Sequence, residues 1–186
     1  MKKIFKSILD IVEIFAIAAA ICFLLFKFVF IRVVVQQSSM IPTLHNNDSG
    51  FSFVITKNNL KRFDIVVADY DDKLIVKRLI GLPNETIEYK DNKLYVDGIK
   101  FEEEFLGDVK TDDFIVELND DEYFLLGDNR EVSKDSRVDG PFSKDDIVSS
   151  HIFVIKPFEN FGFKRWVKFN GFQVIWRKQT AKWWNN

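Results

Sequence analysis

With one cysteine, Cys22, the 186-residue chain has no partner for an intramolecular disulfide and no four-cysteine zinc site. Two histidines, His45 and His151, with no cysteine near either, make a zinc centre a poor reading as well. Four prolines and eight glycines are too few for a collagen-like or low-complexity scaffold, and 47% hydrophobic residues exclude a mostly disordered chain. No internal repeat and no Gly/Ser linker interrupts the sequence. Its length suits one domain with an appendage.

What the chain does have is unevenly distributed charge. Residues 1–35 carry Lys2, Lys3, Lys6, Lys27 and Arg32 against Asp10 and Glu13. Residues 36–156 reverse the balance, with 15 lysines and arginines against 25 acids, and from Pro157 onward six basic residues face Glu159 alone. So acidic a middle argues against a nucleic-acid partner, which needs a basic surface.

The longest apolar run is IVEIFAIAAAICFLLFKFVFIRVVV, residues 11–35. A bilayer core of roughly 30 Å takes about 20 helical residues, so residues 11–31 suffice for one transmembrane anchor. Lys27 can snorkel to an interface. The lysines before the run place residues 1–10 in the cytoplasm by the positive-inside bias, with everything after the anchor outside. Two other readings compete. Ala18-Ala19-Ala20 imitates a signal-peptide cleavage site, but cutting there would leave ICFLLF as an intensely apolar new terminus. A buried core helix is the other. Cys22 lies inside the run as a small apolar filler.

Beyond residue 36 no long segment has helical periodicity. Short β-rich runs recur instead, at 32–37, 50–56, 64–69, 73–80, 86–90, 93–96, 123–126 and 147–155. Phe51, Phe53 and Ile55 alternate as on a half-buried strand. Tyr89-Lys90-Asp91-Asn92-Lys93-Leu94 has the composition of a hairpin. The expectation is a mainly β fold, a compact antiparallel sheet or barrel-like catalytic domain over 32–156, preceded by one transmembrane helix.

Three segments place polar residues oddly. In Gln36-Gln37-Ser38-Ser39-Met40-Ile41-Pro42-Thr43-Leu44, a serine at a strand end before a proline turn can hold its hydroxyl on a fixed backbone, whose N–H groups can face an oxyanion. Plain turn chemistry is the commoner reason for such a serine. In the run 73–83, strand alternation puts Lys77 beside Ile75 and Leu79, and Arg78 beside Val76 and Ile80. Desolvation there disfavours the ammonium and turns a lysine into a general base, whereas an edge-strand lysine simply snorkels. The third segment, Gly127-Asp128-Asn129-Arg130-Glu131-Val132-Ser133-Lys134-Asp135-Ser136-Arg137, alternates charges and small polar groups. It is either a solvated loop or an ion-pair network of Asp128, Arg130, Asp135 and Arg137 that supports a site.

Together these segments resemble the type I signal peptidases, membrane-bound Ser-Lys endopeptidases that remove secretory signal sequences. The matching pieces are the anchor, Ser39-Met40-x-Pro42-Thr43-Leu44, Arg62-Phe63-Asp64-Ile65-Val66, Lys77-Arg78-x-x-Gly81-x-Pro83 and the loop from Gly127 to Arg137. The resemblance implies Ser39 as nucleophile, Lys77 as general base, Ser133 as the serine that orients the lysine amine, and no metal or organic cofactor. It makes the Ser39 N–H one oxyanion donor. It also places Met40 against the dyad, gives structural roles to Asp128, Arg130, Asp135 and Arg137, and pairs Arg78 with one of the acids. The position two before the nucleophile is usually glycine or serine in this family, and the serine hydroxyl is then the second oxyanion donor. Here it is Gln37, whose amide is the candidate for that role. The implied partners are signal peptides of exported pre-proteins, bound as an added β-strand with small residues before the cut, and membrane lipid. The implied home is a bacterial cell membrane, and the 43 residues from Asn84 to Leu126 leave room for only a small second lobe.

Other readings are a catalytically silent relative that assists assembly of exported subunits, a soluble self-cleaving regulator, and a Ser-His-Asp triad built on His45 with Asp48 or Asp64. Finally, the segment 157–186 interleaves nine aromatic residues with six basic ones, suiting either an interfacial segment on anionic lipid or a last strand packed on the domain.

Overall fold

The computed structural model describes residues 2–54, 56, 59–106, 109–156 and 162–164. Ile55 and most of the segment 157–186 lie outside the described residues, and with them the third member of the Phe51–Phe53–Ile55 alternation and the interfacial reading of the tail.

Helix α1 runs Lys2–Val29. Its large apolar side chains, from Ile8 to Leu24 and at Phe26 and Phe28, are more than half exposed, so none of the described residues covers them. A helix apolar on every side and left uncovered is a candidate membrane span rather than a core helix. The 24 residues Lys6–Val29 are long and apolar enough to cross, extending about 36 Å at 1.5 Å per residue. The helix passes directly into strand β1, Phe30–Val34. The sequence places that strand start at 32.

Eleven further strands follow: β2 Ser49–Phe53, β3 Ile65–Tyr70, β4 Lys73–Gly81, β5 Thr86–Lys90, β6 Lys93–Val96, β7 Ile99–Phe101, β8 Phe114–Glu117, β9 Glu122–Leu126, β10 Phe142–Ser143, β11 Ile147–Lys156 and β12 Gly162–Lys164. One helical turn, α2, spans Ser136–Asp139. All pairings are antiparallel. The larger sheet has the order β1-β2-β11-β3-β4-β9-β10, with β12 on β11, and a four-stranded sheet has the order β7-β6-β5-β8. The fold is therefore mainly antiparallel β behind one apolar helix, and the small second lobe is the sheet built from residues 86–117.

Three hairpins turn in two residues, at Asp71-Asp72, Asp91-Asn92 and Asp97-Gly98, and every one of those six residues has φ between 51° and 76°. This left-handed pair is the turn whose twist matches that of the flanking strands, and Asp, Asn and Gly adopt it at least cost. The second of them is the hairpin legible in the sequence, with Lys90 opposite Lys93.

Strand β3 shows how the core is organised. Ile65 and Val67 pack with Val33, Val35, Met40 and Leu44, while Val66 and Ala68 pack on the other face with Leu79, Leu125 and Ile147. A third cluster, from Phe63 and Ile80 through Ile87, Tyr89 and Phe124, binds the two sheets together.

The alternation in β2 is present with its phase reversed. Gly50 and Ser52 are buried, whereas Phe51 and Phe53 are only partly so. At Gly50 a Cβ would lie 1.9 Å from the Phe153 carbonyl oxygen, so the small residues are those facing inward. Phe51 and Phe53 turn instead toward Phe30 at the foot of the helix, with ring centroids 6.3 and 4.9 Å away.

Candidate active site

Ser39 sits where β1 gives way to a tight turn. Val33 and Val35 anchor the strand in the core, and Met40 and Leu44, both essentially inaccessible, anchor the turn beyond it. The Leu44 N–H donates to Met40 O at 2.9 Å, and the Ile41 N–H donates to Ser38 O at 3.2 Å. Between these fixed points Ser39 is half-buried and Gln37 is exposed.

Lys77 lies in the middle of β4, opposite Val66 of β3. Only 4% of it is exposed, and its Nζ donates to Ser133 Oγ at 3.0 Å. Burial among apolar neighbours pushes its pKa below that of an ordinary lysine, with Arg137 pushing the same way and the carboxylates of Asp135, Asp139 and Asp128 opposing. Desolvation wins that contest, and the shift is downward.

Gly127 brings serine and lysine segments together. A Cβ there would stand 2.2 Å from Ser133 Oγ and 2.6 Å from the Ser39 carbonyl oxygen. The hydroxyl that holds the lysine amine and the main chain of Ser39 thus press on the same bare Cα. Asn129 closes the gap from the loop side, donating its N–H to Ser39 O at 2.9 Å and its Nδ2 to Ser38 O at 3.2 Å.

Three ion pairs hold the buried charges of the loop, and hydrogen bonds to the backbone link the last two. Arg78, 1% exposed, is gripped by Asp128 through Nε and Nη2 at 2.7 and 2.6 Å. It also donates to Phe63 O at 2.8 Å and Thr43 Oγ1 at 3.1 Å, and lies over the Phe105 ring. Thr43 in turn donates to Asp128, so this pair ties the nucleophile turn to β4 and the loop. Asp135 accepts the Gly127 N–H at 3.0 Å and two guanidinium bonds from Arg137, at 2.8 and 2.9 Å. Burial works against its ionised form, but Arg137 and the N–H donors prevail and hold the carboxyl below the usual range. Arg137 also reaches the carbonyl of Arg130 at 2.7 Å. Arg130 itself turns to the second sheet, where it meets Glu103 at 2.6 Å, Thr111 at 3.2 Å and the Tyr89 hydroxyl, and it caps Gly127 O at 2.9 Å.

Ser133, bonded to Lys77, and the main chain of Ser39 therefore meet at Gly127, Met40 is buried in the core beside Val76, and Asp128, Arg130, Asp135 and Arg137 are each held by an ion pair. Gln37 is distinctive in its backbone: φ is 103°, and its N–H donates to Asn46 Oδ1 at 3.1 Å. Sequence reasoning missed Asn46, Asn129, Thr43 and Glu103 as partners. Asparagines near turns are commonplace, and nothing in the run of three glutamates at 102–104 singles out the one that meets a buried arginine.

His45 is exposed, and its backbone N–H, 3.0 Å from Asp48 Oδ2, caps a turn. Asp64 stands 3.3 Å from the other histidine, His151, whose Nδ1 lies 2.8 Å from Ser150 Oγ. Ser150 is fully buried, so this Ser-His-Asp alignment presents no hydroxyl to a substrate.

Residues 8–156 match the family described as signal peptidase, peptidase S26. The chain is 40% identical to signal peptidase I S of Bacillus subtilis (strain 168) over 168 residues, which cover 82% of this chain and 91% of that one. It is 34% identical to signal peptidase IB of Staphylococcus aureus (strain COL) over 179 residues, 84% and 93% of the two chains. Among solved structures, a signal peptidase I from Enterococcus faecalis V583 is 33% identical, with a TM-score of 0.47, over 50% of this chain and 96% of that one.

Proposed function

The chain belongs to the signal peptidases of peptidase family S26, which makes it a serine peptidase, and we propose that it removes signal peptides from exported pre-proteins using Ser39 as nucleophile and Lys77 as general base. The observation that carries this reading is a lysine 4% exposed whose amine donates to Ser133, while Ser133 and the Ser39 carbonyl both press on Gly127.

The chemistry follows from those groups. The neutral Lys77 amine takes the Ser39 hydroxyl proton as Oγ attacks the scissile carbonyl carbon. Negative charge gathers on the carbonyl oxygen and is met by the Ser39 N–H, with the Gln37 amide as second donor. The lysine ammonium then gives its proton to the leaving amine, the C–N bond breaks, and an acyl ester on Ser39 remains. Lys77 next deprotonates a water, which attacks the ester and frees the carboxylate product and the serine. Ser133 keeps the amine aimed, and Met40 keeps water away from it.

Two strand edges support binding of the substrate as an added strand. Among the described residues, β1 pairs with β2 along one edge only, and residues 73–77 of β4 pair with β3 but not β9. Backbone pairing of that kind gives affinity with little sequence demand, leaving shallow pockets to select small residues before the cut. In this reading the N-terminus is cytoplasmic, helix α1 crosses a bacterial cell membrane, and the β domain from Phe30 to Lys156 works outside it beside the lipid surface.

The test uses detergent-purified protein and a secretory precursor with alanines before its cleavage site. Ser39→Ala and Lys77→Ala proteins run alongside, and products are identified by mass spectrometry. The expected result is a cut after a small residue, reduced at least a thousandfold in either variant. Cleavage that survives in a variant breaks the dyad assignment. A folded wild-type protein that cuts no precursor would favour a silent assembly factor.

A further inference from the structure

We propose that Asn46 is a positioning residue for the nucleophile, acting through the backbone of Gln37; the inference rests on Ser39 and Lys77 being the catalytic pair. With φ at 103°, Gln37 occupies a region that glycine enters freely and side-chain-bearing residues avoid. Such a conformation persists only where its surroundings over-determine it. Here the group that does so is identifiable. The Gln37 N–H donates to Asn46 Oδ1 at 3.1 Å, fixing the peptide plane just before the strained residue.

Asn46 can hold that plane because its own turn is rigid. Leu44 is fully buried on one side of it and Asp48 on the other. Asp48 Oδ2 accepts the His45 N–H at 3.0 Å, closing the turn across its base. Two backbone bonds then lash the turn to the end of β1: the Val35 N–H to Asp48 O and the Asn47 N–H to Val35 O, each 2.8 Å. The asparagine side chain projects from this staple onto the next peptide along, that of Gln37.

Beyond Gln37 the chain is held from the opposite side, where Asn129 takes the carbonyls of Ser38 and Ser39. Asn46 therefore governs the entry to the nucleophile and Asn129 its exit. Were Gln37 to relax to negative φ, the peptides of Ser38 and Ser39 would rotate with it. The Ser39 N–H and Oγ would then lose their alignment with a substrate carbonyl, and misplacement of that order is costly to the chemical step while leaving binding largely intact. The bond matters because residue 37 is not glycine.

The experiment measures kcat and KM on a peptide substrate for the full-length enzyme and for Asn46→Ala and Asn46→Asp, with the pH–rate profile and the thermal unfolding midpoint of each. Asn46→Ala is also placed in a Gln37→Gly background and compared with Gln37→Gly alone. Expected are a kcat roughly tenfold lower in Asn46→Ala with KM and the profile midpoint unmoved, in line with one lost hydrogen bond that positions reacting groups. Asn46→Asp, which keeps the acceptor, should recover most of that rate. In the glycine background, whatever its own rate, Asn46→Ala should cost less than about threefold, because glycine needs no clamp to hold this φ. A full-sized loss in the glycine background overturns the proposal. So does an unchanged kcat in Asn46→Ala, or a loss matched by a fall in the unfolding midpoint. Ser39→Ala and Lys77→Ala serve as controls: activity in either defeats the dyad, whereas silence in both with a normal Asn46→Ala defeats the positioning role alone.

Discussion

Lys77 must be buried to be basic in the useful sense, and several carboxylates stand close enough to undo that. Its lowered pKa sets the sign of two effects. Activity should rise with pH as the amine loses its proton, along an acid limb centred below the 10.5 of an ordinary lysine. Asp139 opposes the shift, so Asp139→Asn should move that limb to lower pH, read from kcat/KM across a pH series. Movement upward would show that Asp139 acts through its contacts with Tyr70 and Lys134 instead. Stability follows the same proton. Between the lowered pKa and 10.5 the unfolded chain binds more protons than the native state, so the penalty from this lysine grows as pH falls through that window and levels off below it. At this scale the candidate site could be read for Ser39, Lys77 and Ser133, whose residue types suit the proposed chemistry and whose neighbours form a motif. It was illegible for Asn46 and Glu103, because contacts 9 and 27 residues away in sequence leave no local pattern.

At the scale of elements, runs rich in β-branched and aromatic residues located eight strands, the short strands β7, β8 and β10 escaped, and β12 was foreseen only as one of two readings of the tail. Two or three residues, or four flanked by charge, carry too little periodicity to read. Strand β2 shows a deeper limit. Alternation reports that a strand has two faces without saying which one is inside, and here the bulky face belongs to the helix while glycine and serine meet β11. Gly50→Ala tests this packing. A Cβ 1.9 Å from a backbone oxygen cannot be accommodated by a rotamer change, so the variant should lose about 1–3 kcal/mol. The loss should appear as a lower urea midpoint at unchanged slope. An unaltered midpoint would mean that β2 and β11 separate easily.

Across the whole molecule, the helix, the two sheets and the loop from 127 to 137 depend on one another through few, well-buried fasteners. Arg78 joins the Ser39 turn to the Lys77 strand, and Arg130 joins the 127–137 loop to the smaller sheet through Tyr89. The division into an apolar helix and an acidic β domain was plain from composition, because a long apolar run and a stretch dense in acids cannot share one surface. How the parts interlock was not, since an arginine's choice among nearby acids is settled only once the chain has folded.

Val29 ends the helix and Phe30 begins the first strand, with no residue between them. Phe30 also stacks between Phe26 and the β2 phenylalanines. The joint is thus held by aromatic contacts, and Ser39 lies nine residues beyond it. On the proposed function, with α1 in the membrane and signal peptides as substrates, the bilayer becomes a measuring table, and what is cut is decided partly by how high a bond rises above it. Four glycines inserted between Val29 and Phe30 should blur that gauge. Cleavage of a membrane-inserted precursor should become slower or spread over neighbouring bonds, while a short soluble peptide is cut at the usual rate. Equal loss on both substrates would assign the joint to folding instead of to measurement.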